Sequence, residues 1–138
     1  MKHYIVAEVM TLREDIVMIS AYAPMRELLK LMKEKSVKSV IVDRSGPHDA
    51  YGIVTYTNIL EAMFSEEGDM DLINVYDICT KPLIQVVSQL DIKYAAQLMV
   101  RQGVTRLSVT WEGCLVGIIT MTDIVSILMD EAYSEFEE

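Results

Sequence analysis

The sequence has little of what catalysis and covalent cross-linking use. Its 138 residues include two cysteines and two histidines. Cys79 and Cys114 lie far apart in dissimilar surroundings, so they form neither a metal knuckle nor a C-x-x-C redox pair; both read as small buried apolar residues. His3, near the start, and His48, in a polar loop, give no ligand spacing for a catalytic metal. G-x-S-x-G, P-loop and H-E-x-x-H motifs are absent, and the segments at Gly52 and Gly117 carry one glycine each where a dinucleotide fingerprint needs three. With so little toward a nucleophile and its base, a metal site or an acid–base pair, the expectation is a protein that is not an enzyme.

Positive charge is also scarce. Twelve Lys and Arg stand against 21 Asp and Glu, a net charge of −9, which argues against nucleic acid as a partner because phosphate backbones require a clustered cationic surface. Long apolar runs are missing too. Stretches such as Leu115 to Ile119 fall far short of the ~20 residues that span a bilayer, so no membrane association is expected. Met1-Lys2-His3-Tyr4 leads into Ile5-Val6 without the apolar core of a signal peptide, and a cytoplasmic location is the expectation.

What the chain does contain, it contains twice. Gly52-Ile53-Val54-Thr55-Tyr56-Thr57-Asn58-Ile59-Leu60 returns as Gly117-Ile118-Ile119-Thr120-Met121-Thr122-Asp123-Ile124-Val125. Val6 to Thr11 likewise returns as Val75 to Thr80. Met25, Leu28, Leu29 and Met32 are matched by Ile92, Ala95, Ala96 and Met99, each set spaced to lay one apolar stripe along a helix. The methionines on these stripes read as core or dimer interface. The offset changes only at Arg44-Ser45-Gly46-Pro47-His48, a loop longer than the tight turn at Glu112-Gly113, and duplicated folds tolerate such changes. This is a tandem duplication, divided as residues 1–66 and 67–138 around the acidic segment Glu66-Glu67-Gly68-Asp69-Met70-Asp71, which reads as a solvated linker. Glu131 to Glu138 reads as a fraying helix end or tail.

Each half reads as strand, helix, two strands and helix. The first half gives Ile16 to Ile19, a helix from Pro24 to about Glu34, Val37 to Val42, Tyr51 to Thr55 and a helix over Ile59 to Phe64. The second gives Leu83 to Val87, a helix from Ile92 to Arg101 closed by Gly103, Leu107 to Val109, Leu115 to Thr120 and a helix from Ile124. The fold class is α/β (α+β): two β-α-β-β-α repeats related by a pseudo-twofold axis, with helices packed on small sheets and a cleft between the repeats.

That order, the doubled G-h-h-T-x-T-[DN]-h segments and the Arg106-Leu107-Ser108-Val109 run resemble a tandem pair of CBS domains, a Bateman module, over almost the whole chain. The resemblance implies a stand-alone regulatory module that binds AMP, ADP or ATP in the cleft, pairs as a homodimer and acts on a protein target the sequence does not name. Mg²⁺ is an optional companion, held mainly by phosphates and water. S-adenosylmethionine is an alternative ligand, and a ligand-free interaction module the rival reading.

By the same resemblance, Asp123 accepts two ribose hydroxyls and Thr120 aims its hydroxyl into the same cleft. Helix capping by Thr122 or Asp123 is the simpler role, and the two can coexist. Thr55 and Asn58 stand at the equivalent positions. An amide has one acceptor oxygen and no charge, so the Asn58 site is expected to be weaker, differently selective or empty. Arg106 is the phosphate candidate. Its counterpart is Ser39, with Lys38 one residue earlier, and outward, solvated roles remain open for both cations. For adenine, the resemblance points to Thr80, Lys81, Pro82 and Val86 in one half, and to Thr11, Ile16 and Met18 in the other. Val86 and Met18 also suit the core of any packed sheet.

Overall fold

Short strands alternate with amphipathic helices in the order read from the sequence. The computed structural model describes residues 2–65 and 68–137. The first repeat runs α1 (Val6–Val9), β1 (Thr11–Leu12), a 3₁₀ turn (Arg13–Asp15), β2 (Met18–Ile19), α2 (Met25–Lys35), β3 (Ser39–Val42), β4 (Gly52–Thr55) and α3 (Tyr56–Phe64). The second runs α4 (Val75–Ile78), β5 (Gln85–Val87), α5 (Ile92–Gln102), β6 (Arg106–Trp111), β7 (Cys114–Thr120) and α6 (Met121–Glu137). Both halves therefore carry the mixed β-α-β-β-α order. The single turns α1 and α4 escaped the periodicity because four residues are too few to show one. Among the described residues no helix is long and apolar enough to cross a membrane.

The chain packs as two compact units, one spanning Val17–Leu83 and the other joining the segment that ends at Ile16 to the chain from Ile84 onward. The division expected at 66/67 falls on Glu66 and Glu67, which lie outside the described residues, as does Glu138 of the acidic tail.

In the Val17–Leu83 unit the sheet order is β2-β3-β4. Met25, Leu28 and Met32 from α2 pack against Val40, Val42 and Val54, so the apolar stripe faces the sheet. Pro24 stands before the first turn of α2, and the helix ends at Ser36 in left-handed conformation, φ 54°. The lead-in of the second repeat completes this unit. Val75 N–H donates to Ala23 O at 2.8 Å and Tyr76 N–H to Ala21 O at 2.9 Å, while Thr80 and Ile53 exchange two backbone hydrogen bonds of 2.9 Å.

The other unit mirrors this arrangement with the sheet order β1-β7-β6-β5. Ile92, Ala95 and Met99 of α5 pack with Leu107, Val109 and Ile119. Asp91 caps α5 by accepting from Lys93 N–H at 2.8 Å, and Gly103 closes it at φ 66°. Here the lead-in comes from the first repeat: Val6 N–H donates to Leu90 O at 2.7 Å, and Thr11 pairs with Ile118 on β7. Each lead-in thus packs on the body of the other repeat.

The repeated glycine has its reason in these crossings. A methyl group at Gly117 would lie 2.5 Å from Thr11 O and 2.7 Å from Met10 Sδ; at Gly52 it would lie 3.1 Å from Thr80 O. Met25, Met32 and Met99 are core residues. The cysteines depart from expectation: Cys79 is half-buried and Cys114 exposed, because the hairpin turns immediately before it at Glu112 and Gly113, both with positive φ.

Candidate functional site

Strand register decides which candidates share a face. In the second repeat Arg106 lies opposite Thr120, Ser108 opposite Ile118, and Thr11 opposite Ile118 on the far edge of β7. Since directly opposed residues point the same way, Arg106, Thr120 and Thr11 share the face turned away from the core residues Leu107, Val109 and Ile119. Val86 lies opposite Val109 and is buried with it, so the adenine role expected of it gives way to a core role. Its neighbours Gln85, opposite Ser108, and Val87, opposite Thr110, lie on the face that Arg106 shares, and of the two Gln85 carries the polar side chain. Only the β5–β6 register reveals Gln85; the apolar run it sits in conceals it.

β7 ends at Thr120, directly before α6. Thr120 N–H donates to Asp123 Oδ2 at 2.9 Å, and Asp123 N–H donates to Thr120 Oγ1 at 3.1 Å, a reciprocal capping box. Capping at Thr122 or Asp123 is thereby corrected: α6 begins three residues earlier than the apolar periodicity indicates, which makes Thr120 the cap and Asp123 its third-position partner. Both side chains are half-buried, and Asp123 Oδ1 accepts no hydrogen bond among the described residues. Arg106 is half-buried and donates from Nη1 to Thr105 Oγ1 at 3.1 Å.

In the Val17–Leu83 unit, Ser39 lies opposite Thr55, and Met18 opposite Ile41, itself opposite Ile53; Thr80 bridges to Ile53. Met18, Ser39, Thr55 and Thr80 consequently share the face away from Val40, Val42 and Val54. Met18 is half-buried there, whereas Ile19 takes the core position corresponding to Val86. Ile16 lies in the other unit, just after the 3₁₀ turn, and Lys38 is exposed ahead of β3, one residue out of step with Thr55.

Asn58 is held on two sides. Its Oδ1 accepts from Thr55 N–H at 2.8 Å and from Thr55 Oγ1 at 3.1 Å, and its Nδ2 donates to Thr80 Oγ1 at 3.2 Å. Lys81 is tied elsewhere, its Nζ 2.9 and 3.1 Å from the two Asp49 oxygens. Asp49 also accepts from the backbone N–H and hydroxyl of Ser45, and these bonds, led by the Ser45 N–H and then the Lys81 ammonium, hold its carboxyl far below the usual range. Pro82 is exposed after a cis peptide bond. Burial raises the Cys79 thiol pKa. A cavity of about 280 Å³ beside Asn58 is lined by Glu61, Ala62, Ser65, Asp77 and Ile78. A second, of about 350 Å³, is apolar and lies between α2 and α3, with Leu29, Met32, Val37, Tyr56 and Leu60 in its wall. Among the described residues no three His, Cys, Asp or Glu side chains group as a metal site would.

The chain compares with known proteins as follows. The family model of the CBS domain matches residues 6–65 and 75–130. An uncharacterized protein of Methanopyrus kandleri is 28% identical over 91% of this chain and 67% of its own length. An uncharacterized 33.4 kDa protein in a ribosomal RNA operon of Thermofilum pendens is 30% identical over 94% of this chain, which spans 48% of that relative. Among solved structures, the CBS domain of a bacterial CNNM/CorC family Mg²⁺ transporter in complex with ATP has a TM-score of 0.76 at 28% identity, covering 88% of this chain and 84% of its own. The hexameric CBS-CP12 protein from bloom-forming cyanobacteria scores 0.75 at 33% identity, covering 90% of this chain and 71% of its own. CBSX2 in complex with AMP scores 0.77 at 22% identity over 92% of this chain and 97% of its own, a likeness of fold.

Proposed function

The chain belongs to the CBS-domain family, and from that premise we propose that it is a regulatory module sensing an adenosine-containing ligand, AMP, ADP or ATP, at the Thr120–Asp123 end of its second repeat. Asp123 receives the ribose hydroxyls, Thr120 donates its hydroxyl, and Arg106, across the strand pair, answers the phosphate. Thr11 borders the adenine end from the neighbouring strand. The observation that carries this reading is the open Asp123 Oδ1, set beside a threonine hydroxyl and across from a guanidinium by a capping box and a strand register. Ligand-bound relatives support the ligand class: the transporter's CBS domain at 28% identity is a complex with ATP. Binding alters association with a partner or a second copy to the extent that the ligand prefers one arrangement over the other.

Exposed apolar stripes favour a second role beside the first, association as a homodimer. On α3, Tyr56, Leu60 and Phe64 are 53%, 56% and 82% exposed and recur every fourth residue beside the apolar cavity. On α6, Val125, Met129 and Tyr133 repeat that spacing, also exposed. A thermal-shift titration with AMP, ADP, ATP and S-adenosylmethionine, with and without Mg²⁺, followed by calorimetry, tests the reading. A ligand at about 100 times its dissociation constant adds about 2.7 kcal/mol of stability. Stabilisation by a nucleotide that disappears in Asp123→Ala supports the sensor. A response to S-adenosylmethionine alone transfers the site to a sulfonium ligand, which suits a chain of net charge −9. A flat series leaves the interaction module.

A further inference from the structure

The two repeats share one capping box, the threonine oxygen accepting the N–H three residues on and that residue's side chain accepting the threonine N–H, and they differ in what else these groups do. A backbone N–H can only donate, so Thr55 N–H fixes Asn58 Oδ1 toward Thr55 and turns Nδ2 toward Thr80. The Thr55 N–H and hydroxyl then fill both lone pairs of the amide oxygen, and the Thr55 hydroxyl hydrogen is directed inward. A ribose diol, arriving with two hydroxyl hydrogens, meets no open acceptor on Asn58. In the second repeat, among the described residues, Asp123 engages only Oδ2 and the Thr120 hydroxyl donates to no protein group, which leaves its hydrogen able to point outward.

Resting on the nucleotide reading above, we infer that Thr55, Asn58 and Thr80 form an internal lock that fills the first repeat's site with the chain's own polar groups, so that each chain takes one adenosine nucleotide, at Asp123. The lock joins the two repeats, since Thr80 belongs to the lead-in of the second and Thr55 and Asn58 to the body of the first. The charges around it act in the same direction. Ser39 stands where the second repeat has Arg106, Lys81 is engaged by Asp49, and Glu61 and Asp77 line the cavity beside Asn58, which makes the surroundings unfavourable for phosphate.

Two measurements on the full chain test the lock. Calorimetry with AMP is expected to give one site per chain in the parent, none in Asp123→Ala and still one in Asn58→Ala. Melting temperatures need no ligand. Thr80→Val is expected to lower the parent's melting temperature but to have little further effect in an Asn58→Ala background, because the bond it removes is already gone. Two AMP per chain in the parent, a site that survives Asp123→Ala, a site lost in Asn58→Ala, or fully additive melting shifts would each overturn the lock. Absence of AMP binding to the parent is a separate failure, that of the nucleotide reading; the lock then stands or falls on the melting temperatures.

Discussion

Replacing Gly117 by alanine tests whether the crossing of the N-terminal lead-in over β7 is as tight as the geometry states. The added methyl would sit 2.5 Å from Thr11 O and 2.7 Å from Met10 Sδ. Ordinary carbon contacts begin near 3.5 Å, so the obstacle must retreat by about 1 Å. The sulfur ends a flexible side chain and can move. The Thr11 carbonyl is backbone, paired with β7 through Thr11 opposite Ile118 and Leu12 opposite Gly117, and it cannot retreat without loosening that pairing. Overpacking costs about 1–3 kcal/mol and each lost hydrogen bond about 1 kcal/mol, which together give about 2–5 kcal/mol. For a chain of this length that corresponds to a melting temperature lower by roughly 7–17 °C. Gly52→Ala is the internal control. Its methyl meets Thr80 O at 3.1 Å and Cys79 Sγ at 3.3 Å, so an adjustment of a few tenths of an ångström suffices and the expected cost is within about 1 kcal/mol. Thermal unfolding of both variants, followed by circular dichroism, makes the comparison. Equal melting temperatures for the two would refute the close-approach account of the repeated glycine.

Asp123→Ala should remove nucleotide stabilisation and also lower stability by about 1 kcal/mol through loss of the α6 capping box, measured by urea unfolding without ligand. The Asp49 carboxyl is held below its unfolded value, so its stabilising effect is complete above about pH 4 and declines as the pH falls below that. Asp49→Asn should flatten the acid limb of melting temperature against pH while leaving the chain able to fold at neutral pH. Phe64→Asp, at the most exposed position of the α3 stripe, should shift sedimentation toward the monomer if that stripe joins two copies; an unchanged sedimentation coefficient argues against this face. Under limiting iodoacetamide at pH 8, mass spectrometry should find Cys114 alkylated before Cys79, whose thiol pKa is raised by burial.

The duplication, the element order and the helix stripes were legible because they rest on periodicity, which one sequence carries in full. Helix starts were less so. Tyr56 and Met121 open α3 and α6 ahead of the apolar periodicity, and only the hydrogen bonds of Thr55 and Thr120 to the residues three positions on reveal the caps. The exchange of lead-ins was not legible at all, since Thr11 opposite Ile118 and Thr80 opposite Ile53 are pairings between distant segments that no local pattern encodes. That exchange bears directly on the site. Thr11 of the first repeat pairs with Ile118 of the second, on the face that Thr120 shares, and Thr80 of the second lies against Asn58 of the first. On the nucleotide reading proposed above, a ligand held at Asp123 touches a unit built from both repeats, and a preference for one position of the lead-in is a preference between conformations of that unit. The two nine-residue copies of the motif, identical at five positions (one Gly, two Ile and two Thr), then differ in what they couple. Asn58 joins its lead-in with a bond internal to the protein, whereas Asp123 makes no such bond among the described residues; on the nucleotide reading proposed above, only the second site answers to the ligand's concentration.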